Sequence, residues 1–421
     1  MKIAFVSEHA SPLAAVGGTD SGGQNVHVAE LARALGAHGH EVTVYTRRDG
    51  GSLRNRVRLS RGVTVEHVPA GPATEVPKDR LLPYMATFGR YLAERWQREP
   101  PDVVHAHFWM SGMAALAGAR DLGLPVTQTF HALGVVKRRH QGAEDTSPES
   151  RIRLEVGIAR DVATVLATSS DEAFELARLG VPGQRISVIP CGVNTESFRP
   201  DGPAGRRGKA PRLLAAGRLV KRKGLETIVR ALPDVPKAEL VVAGGPPPAR
   251  LRGDPEYRRI SRLATELGVA DRVSFRGRVG RGDMPALMRS ADLVVSVPWY
   301  EPFGMVPLEA MACGVPVVAS AVGGHTDTVV DGVTGVLVPP RQPAKLAGVL
   351  RDLLARPDLR GYGTAAAERA HGRYSWERIS QDTAAVYERI RRGRPAAPAG
   401  RTASARRAGR AGSSRRRMAY E

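Results

Sequence analysis

The sequence predicts an α/β protein built from two doubly wound parallel-sheet domains, and three observations carry that prediction. At 421 residues the chain exceeds what one hydrophobic core comfortably organises. Apolar runs of strand length alternate with amphipathic helical stretches, once from residue 1 and again from residue 212. Between the two sets lies RPDGPAGRRGKAP, whose proline, glycine and charge are those of a linker. The expected organisation is a first domain over 1–198, a linker over 199–211, a second domain over 212–372, an amphipathic helix over 373–392 and a tail over 393–421.

The first domain opens with KIAFVSEH, a buried strand that runs into the long loop SPLAAVGGTDSGGQNVHV. A helix follows from Asn25 to about His38, with Val26, Val28, Leu31 and Leu35 mostly on one face. Next comes the strand EVTVYTRR, so a phosphate or sugar belongs at the intervening glycine-rich loop. Gly17, Gly18, Gly22 and Gly23 do not have the spacing of the dinucleotide fingerprint, which argues against a nicotinamide or flavin enzyme. Arg54, Arg56, Arg58 and Arg61 flank the strand VTVEHVP as a solvated basic edge, and Lys78 precedes a helix from Leu81 to Arg98. DVVHAHF carries His105 and His107 on one strand face, a metal pair or a packed pair; no third ligand is evident. The strand PVTQTF ends at His131, where an imidazole can reach a cleft, and Lys137, Arg138 and Arg139 beyond it meet an anionic ligand or solvent.

The second domain repeats the alternation. PRLLAAGRLVKRKG is a strand and loop holding Arg218 and Lys223, and the apolar run Leu293 to Val297 is a buried strand ended by Pro298. A short helix starts near Gly304, tolerates Pro307 in its first turn and stops at Gly314 and Pro316. Its N-terminus attracts phosphate or polarised hydroxyls. Glu301 lies just before it and Glu309 inside it, either as two acceptors facing one cleft or as a helix cap and a solvated acid.

Composition narrows the class. Hydrophobic residues at 42% and charged residues at 25% describe a soluble globular protein, and no apolar run reaches the roughly 20 residues of a membrane span. The opening MKIAFVSEHASP has too short an apolar core for a signal peptide, which predicts a cytoplasmic protein. Cys191 and Cys313 offer neither a disulfide framework nor a zinc cluster. Of the net charge of +20, the tail with eight arginines and one acid holds +7. It reads as a disordered, inert extension; a nucleic-acid or membrane tether is the other reading.

The pattern E-P-F-G-x-x-x-x-E from Glu301, followed by A-x-x-C-G-x-P-V-V-A and a later Gly-Gly, resembles the sugar-donor signature of the retaining glycosyltransferases of family 4. D-S-G-G-Q-N-V-H-V resembles the loop of the sucrose-phosphate synthase and inositol-phosphate branches, and G-R-x-x-x-x-K-G the family's pair of phosphate cations. The resemblance covers residues 1 to about 392 and implies the GT-B fold: two Rossmann-like lobes facing across a cleft, with the C-terminal helix crossing back onto the first. It implies sugar-donor binding by Gly22, Gly23, Arg218, Lys223, Glu301, Phe303, Gly304, Met305 and Glu309, with His131 near the anomeric carbon and Arg218 and Lys223 on the leaving diphosphate. Glu301 would hold sugar hydroxyls and Glu309 the ribose. The acceptor side falls to Asp20, Gln24, Asn25, Lys78, Phe108, Lys137 and Arg151.

As the resemblance has it, no metal or further cofactor is required. The co-substrate is a nucleotide sugar, UDP-glucose or UDP-N-acetylglucosamine, and the partner a small hydroxylated acceptor; no specific nucleic acid is implied and a homodimer is left open. Phe108 and Ala132 stand where the inositol-phosphate branch has a tyrosine and a threonine on the acceptor phosphate, which counts against inositol 3-phosphate. D-inositol-3-phosphate N-acetylglucosaminyl transfer and a sucrose-phosphate-synthase-like reaction are the alternatives. Asp327 stands where many relatives have glutamate. Readings from other classes are a basic nucleic-acid binder, a dinucleotide enzyme and a glycosidase using Glu301 and Glu309.

Overall fold

The structure, a computed structural model, describes residues 1–14 and 22–393. Asp20, Gly17, Gly18 and the tail from residue 394 lie outside the described residues. Two α/β lobes are observed. The first holds β1 (Lys2–Val6), β2 (Glu41–Arg47), β3 (Arg56–Ser60), β4 (Val63–Val68), β5 (Val103–His107), β6 (Val126–Thr129), β7 (Thr164–Ala167) and β8 (Ile186–Val188) in the order β3-β4-β2-β1-β5-β6-β7-β8. The second holds β9 (Arg212–Ala216), β10 (Glu239–Ala243), β11 (Val273–Gly277), β12 (Leu293–Ser296), β13 (Val317–Ser320) and β14 (Gly335–Val338) in the order β11-β10-β9-β12-β13-β14.

Pairing is parallel throughout except between β3 and β4. Parallel sheets covered on both faces need apolar strands, and the side chains of Ile3, Phe5, Val42, Val44, Leu213, Leu214, Val294 and Val317 are buried accordingly. In each lobe the strand order reverses once, between β1 and β5 and between β9 and β12. A crevice opens at the carboxyl ends of such strand pairs, so topology alone places a ligand site there.

β3 is a strand that sequence reasoning did not provide. The stretch read as a basic edge does lie at the sheet edge, but Arg56 pairs with the buried Glu66 carboxylate at 3.1 Å, which holds the segment against β4. The helix expected from Leu81 begins as α-helix only at Met85, because two 3-10 turns, the second containing Pro83, come first.

The helix Trp376–Arg392 returns to the first lobe, as the resemblance implied. Ile379, Val386 and Tyr387 are buried on it, each contributing roughly 1.5–3 kcal/mol of apolar burial. The Tyr387 hydroxyl reaches His105 Nδ1 at 2.6 Å, and Val193 N–H donates to the Tyr374 carbonyl at 2.7 Å, so the chain is tied to the first lobe where it crosses. Among the described residues no helix is long and apolar enough to cross a membrane.

Candidate active site

A cavity of about 400 Å³ lies between the lobes at the two crevices. In the second lobe, β9 ends at Ala216 and the chain turns through Gly217 and Arg218 into the 3-10 turn Lys221–Lys223. Gly224 follows at φ +73; a Cβ there would meet the Val297 carbonyl oxygen at 1.9 Å, so only glycine lets this turn pack on the end of β12. That packing sets Lys223 Nζ on the Glu301 carboxylate as a close ion pair, with Arg222 Nη1 3.9 Å from the same group. Burial alone would raise the Glu301 carboxyl, but Lys223, Arg222 and His325 overcome it and hold it at about 2. Glu301 is an anion at neutral pH.

The helix Met305–Ala312 starts beside this pair, with Gly304 as N-cap at φ +94. Its first turn has no intrahelical acceptors for its N–H groups, and Pro307 has none to leave unpaired. Arg218, Arg222, Lys223, Arg278 and Arg281 all line the cavity, against the acids Glu301 and Glu309. The wall is therefore strongly anion-attracting. Glu309 is buried and carries Arg281 Nη1 at 3.1 Å. Burial pushes its carboxyl up, and the guanidinium opposes that.

The first lobe contributes strand ends. Phe108 after β5 and His131 after β6 have φ +82 and +61, conformations that non-glycine residues hold only when their surroundings enforce them. His131 Nε2 meets His107 Nδ1 at 3.1 Å, and His27 packs edge-on to His131 with centroids 5.0 Å apart. Burial drives the His131 and His107 imidazoles well below the ordinary range and His27 to about 4, so all three are neutral at neutral pH. The pair read on β5 thus joins a cluster, with rings from His27 and His131 that no local sequence spacing reveals.

Other expected residues divide. Gly22, Gly23, Gln24, Asn25, Lys78, Phe108, Phe303 and Met305 all line the cavity. Gln24 Nε2 donates to the His107 carbonyl at 3.2 Å. Asn25 is committed to the backbone: its Oδ1 accepts from Gly22 N–H at 3.0 Å and its Nδ2 donates to the Ser11 carbonyl at 3.1 Å. Lys137 stands outside the cavity wall, bound to Asp145 at 2.9 Å and Ser147 at 2.9 Å. Arg151 also stands outside it. Its guanidinium donates to Glu155 at 2.7 Å, Ser147 at 3.1 Å and the Ala132 carbonyl at 2.5 Å while covering the Phe108 ring at 5.1 Å.

Sequence reasoning missed Arg222, Arg278, Arg281 and His9. The G-R-V-G-R run of residues 277–281 was the available signal for two of them. His9 is held by Glu8 at 2.7 Å and packs edge-on to Phe108.

Two doubly wound lobes with a cationic cleft between them make an α/β protein of the two-lobe class that binds an anionic ligand at its strand ends. Residues 21–197 match the family Glycosyltransferase Family 4 and residues 201–369 the family Glycosyl transferases group 1. The chain is 36% identical over 407 residues to a D-inositol 3-phosphate glycosyltransferase of Streptomyces scabiei, covering 92% of this chain and 90% of that one. It is 37% identical over 405 residues to the protein of the same name from Geodermatophilus obscurus, covering 92% and 89%. Among solved structures, sucrose-phosphate synthase of Thermosynechococcus elongatus superposes with a TM-score of 0.85 at 33% identity, over 93% of this chain and 100% of that one. Anabaena HepE in complex with UDP and glucose shares the fold at TM-score 0.71 and 21% identity, over 92% and 100%. The chain belongs to glycosyltransferase family 4 and has the GT-B fold. It is a glycosyltransferase.

Proposed function

We propose that the protein is a retaining hexosyltransferase that moves a glucosyl or N-acetylglucosaminyl group from a UDP-sugar to a hydroxyl of a small acceptor. The observation that carries this reading is the cluster at the ends of β9 and β12: Arg218, the Lys223–Glu301 ion pair and the helix start at Gly304, across the cavity from His131. Transfer leaves negative charge on the departing diphosphate, and pre-set cations and helix N–H groups stabilise it more as it develops. Arg218 and Lys223 take that role, with Gly22 and Gly23 bringing backbone to the same group. Glu301, held ionised, accepts from hydroxyls of the donor sugar, Glu309 from the ribose, and neutral His131 hydrogen-bonds the reacting sugar. The acceptor hydroxyl enters on the face the diphosphate leaves, and a phosphate oxygen takes its proton.

The acceptor site falls to Gln24, Lys78, Phe108 and Ala132. With the Arg151 guanidinium engaged by Glu155, Ser147 and Ala132, and Lys137 outside the wall, the basic equipment for a phosphomonoester is thin. A hydroxylated cyclitol or aglycone fits better. Inositol 3-phosphate is the second reading, favoured by Lys78 in the wall and by the names of the relatives. The test is a nucleotide-sugar panel followed by thermal melting, since a ligand bound only by the folded state raises Tm. A UDP-sugar should raise Tm and support transfer with retained anomeric configuration; an inverted product, or no response to any nucleotide sugar, overturns the reading. With the sugar donor known, turnover of inositol 3-phosphate against unphosphorylated polyols separates the two acceptors.

A further inference from the structure

We infer that His27, His107 and His131 form a binding site for a borderline divalent transition ion of the zinc class. Their ligand-capable atoms all lie within 4.8 Å of one another. His107 Nδ1 and His131 Nε2, already 3.1 Å apart, are close to the roughly 3.4 Å that two nitrogens at about 2.0–2.1 Å span on a tetrahedral ion. Neutral imidazoles are the form that ligates.

One further contact bears on the same cluster. His27 Nδ1 lies 3.2 Å from Cys191 Sγ. In the tautomer that donates Nδ1–H to this sulfur, Nε2 of His27 carries the lone pair, the arrangement by which a supporting partner fixes a ligating histidine. His131 and Cys191 line the cavity, so the cluster borders the cleft. An ion here holds His131 away from the sugar donor and so inhibits transfer; that consequence rests on the role proposed for His131, whereas the binding does not.

The test uses the untagged full chain, stripped of metal, titrated with Co²⁺ and read by its visible absorption, with Zn²⁺ as competitor. One equivalent should bind in tetrahedral form and be displaced by zinc. His27→Gln should weaken binding by more than the roughly 10 to 100-fold that loss of a mere supporting partner costs, and Cys191→Ser by no more than that range. No saturable binding, or equal binding by His27→Gln and the native protein, overturns the site. Should His27→Gln fail to fold, zinc X-ray absorption on the native protein decides: three imidazole nitrogens at about 2.0–2.1 Å support the site, and an oxygen-only shell overturns it.

Discussion

The guanidinium of Arg281 stands 3.1 Å from the Glu309 carboxylate, across the end of the cavity. Burial raises Glu309 and Arg281 opposes that rise, so the charge of the acid that is proposed to meet the ribose depends in part on this arginine. Glu309→Gln is expected to raise the KM for the sugar donor about 10-fold, near the lower end for a hydrogen bond to a charged group. Arg281→Ala should also raise KM and move the acid limb of the KM profile to higher pH, because Glu309 then protonates more easily. A lower KM in Arg281→Ala would identify the arginine as a competitor for Glu309 instead.

Arg218 and Lys223 test the leaving-group field. Arg218→Ala should lower kcat roughly 100-fold, the scale for one preorganised donor on developing charge, with the acceptor KM unchanged. Lys223→Ala removes in addition the close partner of the half-buried Glu301, and melting should report a loss of stability. Steady-state kinetics and urea unfolding separate the two effects; unaltered kcat in Arg218→Ala removes that residue from the site.

Much of this site was legible because its residues sit close in sequence to elements whose pattern is strong. The apolar run Leu293 to Val297, the proline that ends it and the glycine before a short helix fix Glu301, Gly304 and Glu309 within nine positions. What the sequence conceals is partnership across long separation. His27 and His131 are far apart in sequence, and their rings come 5.0 Å apart only once the chain is folded. Arg151 has the charge of a phosphate ligand, yet Glu155, one helical turn later, consumes it; an acid four residues on was the available hint. β3 was hidden because its arginines read as solvated surface, while the acid that Arg56 pairs with lies on the next strand.

Gly304 has a second requirement beyond approach to a ligand. At φ +94 an added Cβ would also meet His325 Cδ2 at 2.3 Å, and that ring is buried with Nδ1 on the Ser320 carbonyl at 3.1 Å. Gly304→Ala should cost about 2 kcal/mol or more and weaken UDP-sugar binding together. Urea unfolding and isothermal titration check it. Full stability would show that the helix start moves freely.

Asp327 links the lobes: its carboxylate accepts from Ser170 N–H at 2.6 Å and from the Ser170 hydroxyl, at the start of the helix Ser170–Arg178. An acid at a helix N-terminus contributes about 1 kcal/mol, here between lobes rather than within one. Asp327→Ala should therefore lower kcat and raise KM for the sugar donor together, with global stability changed by no more than about 1 kcal/mol. X-ray scattering should show a larger radius of gyration without ligand. Native kinetics and radius would mean that the contact does not hold the cleft.

Glu301 gives the protein an acid-dependent stability of definite sign. Its folded value of about 2 lies below the ordinary 4.5, so its contribution is complete above pH 4.5 and disappears as pH falls towards 2. The gross amount is on the order of 3 kcal/mol. Glu301→Gln starts less stable, because Lys223 loses its counter-charge, but should lose less stability on acidification from pH 5 to pH 3 than the native protein. Urea midpoints at pH 7, 5 and 3 for both proteins measure the difference. Parallel midpoints would mean that Lys223 does not hold Glu301 ionised, and with that the charged floor of the cleft would have to be redrawn.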